Sequence, residues 1–235
     1  MKPVPQSNRN SMRSSVLRTA AGTLLFGVVH SLLASRQAKE GATRLAGRRQ
    51  RSGLYRGFFI LQSFLTLGLL WNFTRPLPDR VIYHVRGFPA ALMRLVQALG
   101  LAHAVYAAGQ VGLLEISGMR SGLEWLQGRP DVQPEPEAQG PRLDSSGNLK
   151  ATGPFRWSRH PLNFSPLLVF WFNPLMTVKF LVFNLVSTVY LILGSLHEES
   201  RLRAAYGQPY TRYQHSRVPF YLPAPAETRQ GEMHE

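Results

Sequence analysis

Apolar and polar positions fall along this chain in long blocks. Thr19–Ser35 runs for 17 residues without a charge, Gly57–Thr74 for 18 and Leu95–Leu114 for 20. Pro161–His197 runs for 37 residues with Lys179 as its only charge. A helix that crosses the hydrocarbon core takes about 20 mainly apolar residues, within a range of about 17–25, so each of the first three blocks predicts one span. The fourth is too long for one span and tight for two. Asn173-Pro174 interrupts it, and proline starts helices well while disfavouring helix at the residue before it. The pattern therefore predicts a hairpin: a short limb over Asn163–Asn173, then a full span over Pro174–His197. Leu65–Trp71 (LTLGLLW) is apolar on every helical side, unlike the one-sided stripe of a helix in a water-soluble bundle. The predicted fold is all-α, a polytopic membrane helix bundle of about five helices that includes a C-terminal helical hairpin.

The polar blocks divide the chain. A basic N-terminal tail covers 1–18, and a three-span membrane region covers 19–128 with a basic loop at 36–56. A polar linker rich in Pro, Glu and Gly covers 129–152, the hairpin and its flanks occupy 153–223, and 224–235 reads as a disordered tail. The first apolar run stands behind Arg13 and Arg18 as in a secretory leader, but Leu32-Leu33-Ala34-Ser35 leads straight into basic residues, and an uncleaved span is expected.

Charge gives the spans a direction. The chain has 27 Lys+Arg against 13 Asp+Glu, a net +14. Residues 1–94 carry 15 of the cations and only Glu40 and Asp79, whereas residues 95–235 carry 12 against 11. The excess flanks the first spans, where cytoplasmic loops of membrane proteins hold it. Loop 36–56, with seven Lys/Arg and one Glu, is expected to be cytoplasmic. The tail with Lys2, Arg9, Arg13 and Arg18 then lies opposite, despite its own charge, as does 75–94. Segments 115–160 and 198–235 share the cytoplasmic face. A basic cluster tethered in a short loop between spans reads as topological and attracted to anionic headgroups, not as a nucleic-acid site. The absence of cysteine excludes disulfides, thiolate nucleophiles and Cys-ligated metals, and no metal site is expected. The 13 Phe and four Trp are expected mainly at lipid-facing or interfacial positions.

Chemistry-bearing residues bracket the hairpin. Gly153-Pro154-Phe155-Arg156-Trp157-Ser158-Arg159-His160-Pro161 precedes it, and His197-Glu198-Glu199-Ser200-Arg201-Leu202 follows, then Tyr206-Gly207, Tyr210, Tyr213 and Val218-Pro219. If the hairpin folds back, a guanidinium and an imidazole face two carboxylates at one membrane surface. Ionisable groups held there are costly and mark candidate sites.

The order GxxRxxRHP, an apolar hairpin with Asn-Pro, EExxL, Tyr-Gly-xx-Tyr-xx-Tyr and Val-Pro resembles the isoprenylcysteine carboxyl methyltransferase superfamily of membrane methyltransferases. His30-Ser31-Leu32-Leu33-Ala34-Ser35 followed by Lys39 is similar to a segment of its methanethiol S-methyltransferase and NnrU-like branches. Together these motifs cover about a third of the chain, roughly residues 26–39 and 153–223. The resemblance implies methyl transfer from S-adenosyl-L-methionine, bound at the cytoplasmic interface, to a small thiol or lipophilic acceptor. It implies Arg159 and His160 as catalytic residues, a cofactor site of Arg159, His160, Pro161, Glu198, Glu199, Tyr210 and Tyr213, and His30 and Asn163 at the substrate. Arg suits a carboxylate fork, an acid suits an ammonium group, and rings such as Trp157 or Tyr206 suit a sulfonium. Asn163 replaces the tyrosine of the commoner RHP-x-Tyr form, and Phe155 and Trp157 stand where other members often carry Tyr and a β-branched residue. Leu191–Leu196 lacks the basic residues that precede the acidic pair in prenylcysteine enzymes, which disfavours a prenylated protein as acceptor.

Simpler roles stand beside these. Arg159 and His160 can anchor a helix start at the lipid interface, Glu198-Glu199 can be a solvated helix end, and His30 can be a helix-packing donor. A non-catalytic NnrU-like protein of nitrogen-oxide metabolism, one that binds a tetrapyrrole through His30 and His103, and a phospholipid N-methyltransferase are the alternative functions. A bacterial inner membrane is the expected location.

Overall fold

A computed structural model describes residues 6–132 and 139–222; the tail expected over 224–235 and residues 133–138 of the linker lie outside the described residues. The chain runs α1 (Gln6–Ala34), α2 (Arg36–Ala46), α3 (Arg48–Thr74), β1 (Val81–His84), α4 (Gly87–Val111), α5 (Leu113–Ile116), α6 (Met119–Leu126), β2 (Arg142–Leu143), β3 (Leu149–Lys150), a 3₁₀ turn (Gly153–Arg156), α7 (Pro161–Trp171), β4 (Leu175–Thr177), α8 (Val178–Tyr206) and α9 (Gln208–Gln214). Among the described residues, four helices are long and apolar enough to cross a membrane: Asn10–Ala34, Arg48–Thr74, Gly87–Val111 and Val178–Tyr206. With the shorter α7 they form an all-α polytopic bundle, and the protein is an integral membrane protein.

The burial pattern is that of a protein solvated by lipid. Leu25, Phe64, Trp71, Phe88 and Leu193 are exposed, while Thr19, Thr23, Ser165, Asn184, Ser187 and Ser195 are buried. Small and hydroxylated residues let helices approach closely where lipid removes the usual hydrophobic drive. A Cβ on Gly100 would lie 2.8 Å from Leu168 Cβ and 3.3 Å from the Ser165 carbonyl, so glycine there lets α4 lie against α7.

The hairpin forms with different limits from those expected. Its short limb, α7, starts two residues early at Pro161, a position that suits proline because a first-turn N–H has no helical partner, and ends at Trp171. Eleven residues rise only about 16 Å, roughly half the hydrocarbon thickness. In a membrane interior the exposed carbonyls at the end of such a helix need donors. Gln97 Nε2 donates to Val169 O at 2.7 Å, and Asn184 Nδ2 donates to Phe170 O at 3.0 Å. Beyond Asn173-Pro174 the chain is extended, and β4 pairs antiparallel with β1. The full span then begins at Val178 and continues through Tyr206, so Glu198 and Glu199 sit within α8 rather than past its end. Lys179, the lone charge of the block, donates to the carbonyls of Thr74 and Leu77 at 2.8 and 2.7 Å, a cation at the C-terminus of α3, where the helix dipole favours it.

The segment expected as a basic loop at 36–56 is helical. Ser35 accepts from Ala38 N at 3.2 Å and caps α2, and Gly47, at φ 87°, separates α2 from α3. Residues 6–18 are likewise helical, continuous with the first span. At this end of the bundle Arg49 binds the carbonyls of Trp125 and Arg129, Arg142 binds that of Val111, and Gln139 N donates to Glu198. The basic helix, the linker and the C-terminal segment therefore meet at one end, with β1 and β4 at the other.

Candidate active site

The hairpin brings its two flanks together. Arg159 Nε donates to Glu199 Oε1 at 2.7 Å. His160 lies between the acids, with Nδ1 3.4 Å from Glu198 Oε2 and Nε2 3.4 Å from Glu199 Oε1. That Nε2 is buried and makes no hydrogen bond among the described residues, so at 3.4 Å it feels the carboxylate's charge without hydrogen-bond alignment. The backbone holds the imidazole in place: His160 N donates to Ser158 Oγ, and its carbonyl accepts from Phe164 N in the first turn of α7.

Arg159 also ties down the C-terminal segment. Its second nitrogen donates to the carbonyls of Gln214 and Val218 at 3.2 and 2.9 Å, its backbone N–H donates to Pro219 O, and its guanidinium lies 5.6 Å from the Phe220 ring centroid. Gln214 Nε2 donates to Glu199 Oε2 at 2.6 Å. Arg159 and Glu199 thus answer each other inside the fold. Tyr210 and Tyr213 pack with Leu202 in a buried cluster, and Tyr213 OH donates to Phe155 O at 2.6 Å. Burial raises the pKa of both phenols, with the Glu199 carboxylate adding to the effect.

A cavity of about 210 Å³ opens beside this network. Glu198, Asn163, His197 and Arg201 face it from the hairpin, and His30, Ser31, Leu33, Ala34, Ser35 and Lys39 face it from the end of α1 and the start of α2. The two motif-bearing segments of the sequence therefore meet on one space. Asn163 Nδ2 donates to Glu198 Oε2 at 3.1 Å and to Ser195 Oγ at 2.9 Å. Ser31 and Tyr190 share a hydrogen bond at 2.9 Å, and His30 Nδ1 lies 3.1 Å from Ser63 Oγ. Tyr55, Phe59 and Tyr190 supply the aromatic wall.

Of the residues expected at the site, His30, Asn163 and Glu198 line the cavity, whereas Arg159, His160, Pro161, Glu199, Tyr210 and Tyr213 stand behind it. Trp157 and Tyr206, expected as aromatic faces, do not line it: Trp157 is exposed and Tyr206 packs on the Leu202 cluster. His30 and His103 do not face each other, because His103 turns to Ser165 and Phe164 between α4 and α7. No group of three or more His, Asp or Glu side chains able to hold a metal occurs among the described residues. Lys39, Arg56, His197 and Arg201 were not singled out as site residues. Arg56 alone of the four had no sequence signal: Lys39 stands just after the His-Ser-Leu-Leu-Ala-Ser segment, and His197 and Arg201 flank the acidic pair in the cluster that follows the hairpin.

The donor set suits an aminoacyl cation such as S-adenosylmethionine: a carboxylate for an ammonium, cations for a carboxylate and aromatic faces for a sulfonium. The volume of about 210 Å³ is below the roughly 300–1,000 Å³ of sites enclosing a drug-sized ligand, so this space matches a small acceptor or the amino-acid end of such a donor rather than a whole donor and acceptor together.

Fold and site together define a polytopic helical membrane protein with a charged cavity at one end of its bundle. No protein-family model and no solved structure matches the chain. It is 30% identical over 201 residues to methanethiol S-methyltransferase 2 of Bradyrhizobium diazoefficiens, covering 85% of this chain and 70% of that one. It is 25% identical over 229 residues to a methanethiol S-methyltransferase of Crocosphaera subtropica, covering 94% and 80%. It is 26% identical over 190 residues to that of Pseudomonas deceptionensis, covering 81% of this chain and 66% of the relative. The chain belongs to the methanethiol S-methyltransferase family, within the isoprenylcysteine carboxyl methyltransferase-like membrane methyltransferases.

Proposed function

We propose that this protein transfers a methyl group from S-adenosylmethionine to a small thiol, methanethiol or a close analogue, with the cofactor site at the cytoplasmic face of a bacterial inner membrane. The observation that carries this reading is the cavity lined both by the His30–Ser35 segment and by Glu198 of the acidic pair, in a chain of this family. The donor supplies an electrophilic methyl on a sulfonium, already a good leaving group. The chain then needs to bind, align and exclude water. Glu198 holds an ammonium, Arg201 and Lys39 attract a carboxylate, and the Tyr55–Phe59–Tyr190 wall accepts positive charge. Asn163 and His30 face the acceptor. Arg159, His160, Pro161 and Glu199, with Tyr210 and Tyr213 behind them, fix the position of Glu198 and the C-terminal segment. The thiol reacts as its thiolate, with its proton released to solvent. The methyl passes to that sulfur as the donor's S–CH3 bond breaks to leave a neutral thioether, and a thiolate acceptor needs no strong general base.

The test is purified full-length protein in detergent, supplied with methyl-deuterated S-adenosylmethionine and methanethiol, with headspace mass spectrometry for deuterated dimethyl sulfide. Labelled product, absent without protein, is expected. No volatile product together with no saturable cofactor binding overturns the reading; label in phospholipid instead assigns the protein to lipid methylation.

A further inference from the structure

A second and larger cavity lies beside the first. It measures about 750 Å³ and is walled by Arg36, Lys39, Arg48, Arg49 and Arg51, against the two acids Glu40 and Asp131. Five cations against two carboxylates give the space a net charge of about +3, a field that concentrates anions. Its volume falls in the range of about 300–1,000 Å³ typical of small-molecule sites.

Part of this wall is rigid. Arg49 is held by the carbonyls of Trp125 and Arg129 and lies 5.7 Å from the Trp125 ring centroid, and Arg51 lies 6.0 Å from that of Tyr55. The side chains of Arg36 and Arg48, by contrast, make no hydrogen bond or ion pair among the described residues. Thr43 and the buried Ser52 add hydroxyls. The 27-residue α3 starts at the same wall, with no side chain capping its first turn, so its N-terminal dipole adds to the attraction.

The level of the site narrows the ligand. The cavity lies between the end of one span and the start of the next, on α2, whose Leu45 is 91% exposed. An interfacial helix puts such a residue among the upper acyl carbons and its cations among the headgroups. Arginine forks match phosphate oxygens two at a time.

We propose that this cavity is a binding site for a phosphate-bearing anion, held by Arg36 and Arg48 against the fixed guanidinium of Arg49. Lys39 lines both cavities, which makes the anion a neighbour of the candidate active site. The inference does not depend on methyl transfer.

The experiment is calorimetric titration of the full-length, delipidated protein in neutral detergent. The probes are dihexanoyl phosphatidylglycerol, dihexanoyl phosphatidylcholine and inorganic phosphate. The variants are Arg36→Gln/Arg48→Gln and, as a control outside the cavity, Arg44→Gln; scanning fluorimetry checks that both keep the parent melting temperature. One equivalent of phosphatidylglycerol or of phosphate should bind, at least tenfold more weakly in the double variant and unchanged in the control. Phosphatidylglycerol binding that phosphate does not displace identifies a lipid headgroup as the source. Phosphate binding with or without the lipid identifies the free anion. No binding of either, equal binding by the double variant, or phosphatidylcholine binding as tightly as phosphatidylglycerol overturns the proposal.

Discussion

Arg159 and Glu198 carry like-for-like sequence signals and do different work. Replacing Arg159 by Ala leaves the Glu199 carboxylate buried beside His160 with Gln214 as its remaining hydrogen-bond donor. Breaking a buried pair in this way costs about 3–5 kcal/mol, so Arg159→Ala should lower the melting temperature in detergent markedly, with Arg159→Lys between the two. Glu198→Gln keeps the size of a side chain that faces the cavity. One of the two donors that Glu198 accepts, Gln139 N or Asn163 Nδ2, then loses its partner, so the melting temperature should fall, by less than for Arg159→Ala, while donor affinity falls about 10–100-fold, the worth of one charged contact, read by cofactor titration. Burial, followed by the field of nearby carboxylates, raises the phenol pKa values of Tyr210, Tyr213 and Tyr221, the last to about 12. The native state keeps these protons after the unfolded chain has lost them near pH 10. Stability is therefore fully present below about pH 10 and falls as pH rises from there toward 12, which melting curves across that range should show. The Arg–His–Pro triplet and the acid pair were legible in the sequence. Val218-Pro219 was legible as a motif but not its carbonyl's bond to Arg159, and Gln214 was not legible at all, because their part depends on how α9 folds back, and no local pattern records that.

Among the elements, the long helices were readable because lipid imposes a length and an absence of charge on each. The same rule misled where charge was dense: 36–56 reads as a loop by its arginines, yet Ser35 and Gly47 make it a helix, a break and the first turns of another. The register of β1 on β4 depends on where α7 ends, which in turn depends on Gln97 and Asn184, residues far apart in the chain. Glycine sets the closeness of helix pairs. At Gly53 an added Cβ would lie 2.5–2.8 Å from Trp125, so Gly53→Ala should force α3 from α6. Overpacking of this kind costs about 1–3 kcal/mol, and a matching fall in melting temperature is expected, with Gly57→Ala, where nothing lies within 4 Å, as the silent comparison.

For the whole molecule, the gathering of α2, the linker and the C-terminal segment at one end makes a definite topological statement. The chain has no cysteine, so single cysteines report cleanly. Ser146→Cys and Arg44→Cys should react with an impermeant maleimide from the same side of the membrane, and Arg86→Cys from the other. Labelling of Ser146 and Arg44 from opposite sides would contradict the arrangement. On the positive-inside count the expected side for the first two is the cytoplasmic one.

An interior between spans rich in hydroxyls, amides and glycines has little to gain by collapsing in water, since most of the large apolar side chains of those spans already point outward. The bilayer therefore acts as the missing outer layer of this molecule rather than as its container. Folding and insertion become one event, and how tightly the helices close around the cavity is set partly by whatever solvates Leu25, Phe64 and Trp71.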